Sequence, residues 1–412
     1  MLLKDSDRAM LRGEAGMAAQ MAMELIVATG EAEDAPELLD ISGAHIDGCL
    51  YHGQAGLDFA RSLVDQGARV RVPTTLNVSS LDLLHPNLYR GSRETALSAR
   101  RLMDAYVEMG CSPSWTCAPY QLPRRPELGE QVAWGESNAI VFANSVLGAR
   151  TSRYGDFLDI CCAITGRAPA VGLHTDEGRR ATLQIELEVP DKLLADDLFY
   201  PLLGHVLGQT AGTEVAVLVG LDGRATEDRL KALGAAAASS GAVAMFHAVG
   251  VTPEAATLHD ATGGIDASRT YTIGVDDLRQ ARAFLGRGRG RLDAVSVGTP
   301  HFSLDEMREL ARLVMGRVTK VPFYVNTSRD VLAGAEKEGT TAPIGSFGAT
   351  IVTDTCTYIT PIMEVGEGVV MTNSGKWAFY APGNLGVHVA LAGLQACVDS
   401  GASGEIVLGE DW

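Results

Sequence analysis

The sequence predicts an α/β protein, multidomain, built from βαβ units with mainly parallel sheets. Three observations carry this reading. Strand-like, polar and helical stretches alternate through most of the 412 residues; glycine occupies 46 positions, as tight strand-to-helix turns require; and aromatic residues make up only 6%, sparse for an all-β sandwich. A chain this long exceeds one hydrophobic core, so two or three domains are expected.

The elements follow in order. Residues 15–27 carry apolar side chains at helical spacing, with Gly30 beyond them as a stop signal. Residues 38–41 read as a short strand leading into a polar loop over 42–48, which holds His45 and Gly48. Residues 56–66 form a helix, and 70–73 a strand running into Thr74-Thr75-Leu76-Asn77. This order puts His45, Gly48 and Asn77 at strand ends, where open α/β sheets gather their ligands. Glu136 and Ser137 precede the apolar run 139–143, either as a plain helix cap or as part of a pocket. Past Pro190 come a strand (215–220), a helix (227–239) and a strand (242–249), a βαβ unit ending at the Gly-Arg repeat of 286–291. Residues 294–297 are the next strand and Gly298-Thr299-Pro300-His301 a turn; Ser303 and Glu306 form a capping box opening the helix 304–314. A strand over 321–326 follows, and Ile351-Val352 leads into the loop of Cys356. The expected domains are 1–190, 191–290 and 291–412.

Charge and composition exclude several functions. With 34 Lys+Arg against 51 Asp+Glu the net charge is −17, which repels phosphate backbones and anionic lipid, so no nucleic-acid or membrane partner is expected. The densest basic run, Arg287, Arg289 and Arg291, reads as a solvated loop. No stretch approaches the roughly 18 apolar residues of a membrane span, and the first residues lack a signal-peptide core. The seven cysteines are irregularly spaced, as reduced thiols of a cytoplasmic protein would be. The sequence carries no HExxH, no GxSxG and no complete dinucleotide fingerprint, which leaves zinc, hydrolase and dehydrogenase readings without a motif.

Cys111, Cys161, Cys162 and Cys397 lie among apolar residues and read as packing, and Cys49 as a pocket wall. Cys117, in Ser-Trp-Thr-Cys-Ala-Pro-Tyr, and Cys356, in Thr-Asp-Thr-Cys-Thr-Tyr-Ile-Thr-Pro, sit instead in polar, turn-rich loops. Such loops hold a thiolate rigidly and offer hydroxyls around it. On spacing alone the pair stays open between metal ligands and stray thiols. Thr299 stands where a third cysteine would complete a cluster site. Lys376, after Thr372-Asn373-Ser374-Gly375, is either a solvated turn lysine or a carboxylate anchor.

Read together, several segments resemble the large, catalytic part of the aconitase X family, along essentially the whole chain. They are residues 10–16 (Met-Leu-Arg-Gly-Glu-Ala-Gly), Ala44-His45-Ile46-Asp47-Gly48, Val72-Pro73-Thr74-Thr75-Leu76-Asn77, Thr116-Cys117-Ala118-Pro119-Tyr120, Glu136-Ser137-Asn138 with Asn144-Ser145, Gly166-Arg167-Ala168-Pro169, the Cys356 loop and Asn373-Ser374-Gly375-Lys376. The resemblance implies an iron–sulfur dehydratase with an aconitase-like α/β large part. It also implies a small swivelling domain, fused or a separate subunit, and a small hydroxy-acid substrate. Cys117 and Cys356 match cluster ligands. Gly48, Cys49, Leu50, Asn77, Val78, Glu136, Ser137 and Lys376 match the substrate pocket, the last three with catalytic roles, and His45 is grouped with them from its strand-end position.

Two activities are known in the family, dehydration of cis-3-hydroxy-L-proline and of (R)-5-phosphomevalonate. The phosphomevalonate branch carries a cysteine in Gly-Cys-Pro-His where this chain has Thr299, and tends to a serine where it has Leu50. Both departures favour the hydroxyproline branch, whose cluster is of the [2Fe–2S] kind. The alternatives are a phosphomevalonate dehydratase large subunit and a cluster-free scaffold that binds a small molecule.

Overall fold

In the computed structural model, which describes residues 1–286 and 288–409, Arg287 of the basic run lies outside the described residues. The chain divides into two units, Met1–Leu81 with Ser92–Arg180, and Asp82–Gly91 with Ala181–Trp412. Among the described residues no helix is long and apolar enough to cross a membrane.

The first unit holds β1 (Leu38–Asp40), β2 (Ala44–Ile46), β3 (Thr74–Leu76), β4 (Ala133–Trp134) and β5 (Arg167–Pro169). β2 is the centre of a parallel sheet, flanked by β3 and β4, while β1 and β5 form an antiparallel ribbon. All three residues of β2 are buried, as in a parallel strand covered on both faces. The loop expected over 42–48 therefore contains the central strand, because three residues are too few to display a strand period.

The strand expected over 70–73 is irregular chain. Its amides go to a helix end and a neighbouring helix instead, Val70 N to Met109 O at 2.9 Å and Arg71 N to Ala163 O at 2.8 Å, and pairing starts at Thr74. Gly30 lies inside the helix Met17–Ala32 rather than beyond it. The helix Gln54–Asp65 buries the stripe Leu57, Ala60, Leu63 and Val64 and packs on Arg93–Glu108, whose cap Ser92 accepts from Thr95 N at 3.0 Å. Arg167 of the Gly-Arg-Ala-Pro segment is a buried tie. Its guanidinium pairs with Asp7 at 3.0 Å and with Asp40, and donates to Leu38 O at 2.7 Å, fastening the ribbon to the first helix.

The second unit contains β6 (Leu183–Glu188), β7 (Ala216–Val219), β8 (Phe246–Ala248), β9 (Arg269–Gly274), β10 (Leu292–Phe302), β11 (Phe323–Thr327), β12 (Ala349–Val352), β13 (Val369–Thr372) and β14 (His388–Leu391). They form two parallel sheets in the orders β8-β7-β6-β9 and β12-β11-β10-β13-β14. The smaller sheet begins at Leu183 and the larger at Leu292, against the expected boundaries at 190 and 290.

The segment 298–301 is not a turn that ends a strand. It lies within β10, where the register with β11 jumps from Val297↔Val325 to Phe302↔Thr327. Five steps along β10 thus match two along β11, and the surplus is extruded at the sheet's carboxyl end. Gly298 permits this. Its φ is 86°, and a Cβ there would stand 2.2 Å from Asn326 O. Beyond it Ser303 caps Leu304–Val314 with Glu306 reciprocating, as the sequence predicts.

Candidate active site

Parallel sheets expose loops at their carboxyl ends, and the polar residues singled out in the sequence gather there. In the first unit Asp47, Gly48 and Cys49 follow β2, Asn77 and Val78 follow β3, and Glu136 and Ser137 follow β4. The Asn77 amide continues the ladder by donating to Ile46 O at 2.9 Å. The Cys49 thiol is buried and points at the carbonyls of Asn77 (3.2 Å), Ile46 (3.5 Å) and Val78 (3.6 Å). Burial pushes that thiol up, so Cys49 stays protonated and neutral. Leu50 is half-buried beside it.

Glu136 is the N-cap of Ser137–Phe142, accepting from Ala139 N at 2.7 Å. Asn138 donates from one nitrogen both to Glu136 and to Cys117 O, and accepts from Tyr120 OH at 2.7 Å. Tyr120 is stacked on Phe142 with centroids 3.8 Å apart. One buried asparagine thus ties the loop of Cys117 to the carboxylate of Glu136. Ser137 Oγ reaches Glu136 Oε1 at 3.4 Å.

His45 is placed differently from the loop histidine the sequence suggests. It is the middle residue of β2, fully buried, with Nδ1 2.8 Å from Thr75 Oγ1 and its ring tilted against Trp134. Burial lowers its pKa to about 3, so the imidazole is neutral.

In the second unit Thr299 and His301 lie in the extruded part of β10, Cys356 follows β12, and Lys376 follows β13. Cys356, His301, Thr299 and Lys376 are all buried. A His301 ring nitrogen and Cys356 Sγ lie within 4.8 Å of each other, and His301 Nε2 is 3.1 Å from Thr355 O.

The Cys356 loop is held on all sides by polar side chains. Thr357 N donates to Asn326 Oδ1 (3.1 Å), and Thr357 Oγ1 meets Ser296 (2.6 Å) and Trp377 Nε1 (3.1 Å). Thr355 pairs with Thr360 (2.6 Å), and Asp354 takes a two-pronged bond from Arg329. Ser374 Oγ donates to Thr299 O and accepts from Trp377 N at 3.0 Å, capping the helix Gly375–Leu385 that carries Lys376. Lys376 is thus a buried residue in the first turn of a helix, not a solvated one. The thiols read as packing, Cys111, Cys161, Cys162 and Cys397, are all buried.

Sequence reasoning missed two carboxyls. Asp47 N donates to Asp159 Oδ2 at 2.7 Å, and Asn77 Nδ2 donates to Asp47 Oδ1. Gly135 makes room for this, since a Cβ there would stand 2.4 Å from Asp159 Oδ2. The available signal was an acid inside an otherwise apolar helix, Leu158–Thr165. Burial, then the charges of Glu136, Asp156 and Asp159, push Asp47 up to about 8. Burial likewise pushes Asp159 up to about 7, against the backbone amides it accepts from.

These shifts have a sign. In the folded chain both groups keep protons that the unfolded chain, with carboxyls near pKa 4, has already released. The folded state binds more protons between about pH 4 and about pH 8, so their contribution to stability is present at low pH and lost as pH rises across that window. Asp47→Asn cannot ionise. Its melting temperature should fall less than the wild type's between about pH 5 and about pH 9; equal falls would contradict the assignment.

Comparison with known proteins gives the same picture along the chain. The family profiles described as aconitase X first, second and third domains match residues 1–177, 181–283 and 292–403. The chain is 46% identical over 404 residues to the cis-3-hydroxy-L-proline dehydratase of Pseudomonas aeruginosa and 44% identical over 409 residues to that of Hypocrea jecorina, covering 97% and 98% of this chain and 69% of each relative. It is 37% identical to the phosphomevalonate dehydratase large subunit of Methanothermobacter thermautotrophicus, over 93% of this chain and 95% of that one. The crystal structure of Thermococcus kodakaraensis aconitase X in its holo-form matches with a TM-score of 0.88 at 34% identity, over 97% of this chain and 100% of that one. On the sequence profiles, the relatives and the fold alike, the chain belongs to the aconitase X family.

Proposed function

We propose that the chain is the large part of a hydro-lyase that dehydrates cis-3-hydroxy-L-proline to Δ1-pyrroline-2-carboxylate. It works with a small swivelling part, fused or on a separate subunit. The observation that carries this reading is its 46% and 44% identity to two proteins named for that activity, against 37% for a phosphomevalonate enzyme. Thr299 and Leu50 favour the same branch.

Cys117 and Cys356 are assigned as ligands of an iron–sulfur cluster of the [2Fe–2S] kind, with His301 as the further donor beside Cys356. The donor chemistry fits such a group: buried thiols and an imidazole suit iron, and the Cys356 loop is braced by hydroxyls and an asparagine rather than by apolar packing. When bound, the group supplies a Lewis acid for the departing C3 hydroxyl.

The remaining work falls to side chains. Lys376 holds the substrate carboxylate and stabilises the charge that develops as the C2 proton leaves. Glu136 and Ser137 orient the ring or pass protons, and Asn77, Cys49 and Val78 line the pocket with Gly48, Leu50 and His45. The C2 proton is taken by a group on the swivelling part. The C2–H and C3–O bonds break, a C2–C3 double bond forms and water leaves. The resulting enamine then gains a proton at C3 and loses the one on its ring nitrogen to become the imine.

Side-by-side assays of the iron-loaded protein with its small part test this. Turnover of cis-3-hydroxy-L-proline, followed by NMR of the cyclic imine, is expected to exceed that of (R)-5-phosphomevalonate by at least about 100-fold. Turnover of phosphomevalonate alone would replace this reading with the second branch.

A further inference from the structure

The Asn77 side chain is 4% exposed, yet only one end of its amide is engaged. Nδ2 donates to Asp47 Oδ1, while Oδ1 is buried and has no hydrogen-bond partner among the described residues. Folding does not require that acceptor, because the Asn77 backbone is already satisfied by Ile46 O and the Cys49 thiol. A buried polar atom left unpaired in the free protein calls for a partner, and beside a substrate pocket a ligand atom is one that can supply it.

The orientation of the amide is fixed from behind. Asp47 Oδ1 accepts from the NH2 end, which turns the amide oxygen away from that carboxyl oxygen. Asp47 is in turn pinned through its own amide to Asp159, whose other oxygen accepts from Ile160 N at 2.7 Å. Asp159 is set into the first turn of a helix and reaches the sheet only because residue 135 is glycine. The series Asp159, Asp47, Asn77 therefore decides which end of one amide faces the substrate.

We propose that Asp47 is a positioning residue that locks Asn77 with its carbonyl oxygen toward the substrate, and that this oxygen receives the ring ammonium of a cyclic amino acid. The second half rests on the substrate reading above. The local charge agrees with it, since Glu136 and Asp156 both act on Asp47. An N–H cation is favoured in such surroundings, and a phosphoryl oxygen is repelled by carboxylates and by an amide oxygen alike.

Competitive inhibition of the loaded enzyme with its small part tests the proposal, using L-proline against tetrahydrofuran-2-carboxylate, which carries a ring oxygen in place of the N–H donors. The wild type is expected to bind proline at least about tenfold better. Asp47→Ala and Asn77→Ala are expected to bring that ratio close to one. Asp47→Asn, which keeps an acceptor oxygen for Asn77, retains it. A merely structural role for Asp47 would weaken both inhibitors equally and leave the ratio standing, which would overturn the proposal. Should Asp47→Ala fail to fold, Asp47→Ser, too short to reach the amide, is read in the same way. Wild-type protein that turns over only phosphomevalonate would sink the substrate reading instead, and is seen before any variant is made.

Discussion

Cys356→Ala purified without oxygen is expected to be colourless, with iron and acid-labile sulfide below about a tenth of the wild-type content and turnover reduced by at least about 10³-fold. The size follows from the chemistry removed. A Lewis acid at a poor leaving group supplies several kcal/mol of transition-state stabilisation, and about 1.4 kcal/mol is tenfold in rate. The loop itself should survive. Its bracing runs through Asn326, Ser296, Thr357, Trp377, Thr360 and Arg329, in bonds that do not involve the sulfur. Cys-to-alanine at a buried site removes a single sulfur, costing on the order of 1 kcal/mol of stability. Cys397→Ala is the control. Its thiol is equally buried but sits 3.7 Å from Ala392 O in the helix Leu394–Ser403, so it should lose a little stability and no iron. Cys117→Ala should behave as Cys356→Ala does. Brown Cys356→Ala protein with its full iron complement would remove the cysteine from the ligand set.

How much of this was legible in the sequence depends on the range of the interaction. Local chemistry reads well. The Ser303–Glu306 box, the cap at Glu136 and the polar loop before Lys376 are fixed by neighbours three or four residues away. Long parallel-sheet strands also read well, because Ala294, Val295 and Val297 in one and Phe323, Tyr324 and Val325 in the next give short, strongly apolar and β-branched or aromatic runs. The three-residue strand Ala44–Ile46 does not, since its identity comes from partners at Thr74–Leu76 and Ala133–Trp134 rather than from any period of its own. The extruded segment at Gly298 reads as a turn for the same reason: only the register with β11 reveals that the strand resumes at Phe302. The Asp47–Asp159 link spans 112 positions, and no spacing rule reaches so far. A composition rule does, because an aspartate between Leu158 and Ile160 in a buried helix needs a polar partner. The remaining ambiguity at Lys376 was one of burial, and burial is a property of the fold.

Lys376→Met is expected to lower kcat/KM for cis-3-hydroxy-L-proline by about 10²–10³-fold while iron content stays at the wild-type level, because removing one partner of a buried charge-assisted contact costs about 2–5 kcal/mol. Methionine keeps most of the methylene stem, so packing around a residue that is 4% exposed is largely preserved and the charge alone is deleted. The position suits an anion. Lys376 is the second residue of Gly375–Leu385, where the positive end of the helix dipole adds to the ammonium, and Ser374 accepts from the Trp377 amide to fix the turn. Gly375 lets the turn approach Pro201 and Ala236, from which a Cβ would stand 3.1 Å away. A carboxylate anchor and a structural lysine make different predictions. If Lys376 binds the carboxylate, the wild type should prefer L-proline to L-prolinamide as a competitive inhibitor, and Lys376→Met should erase that preference by weakening proline alone. If the lysine only stabilises its surroundings, the variant should melt earlier and bind both inhibitors with the wild-type ratio. Lys376→Arg separates the two again, since a planar guanidinium keeps the charge but not the point geometry, and should recover part of the proline affinity without restoring kcat. An unchanged proline-to-prolinamide ratio in Lys376→Met would take the carboxylate away from this helix terminus altogether.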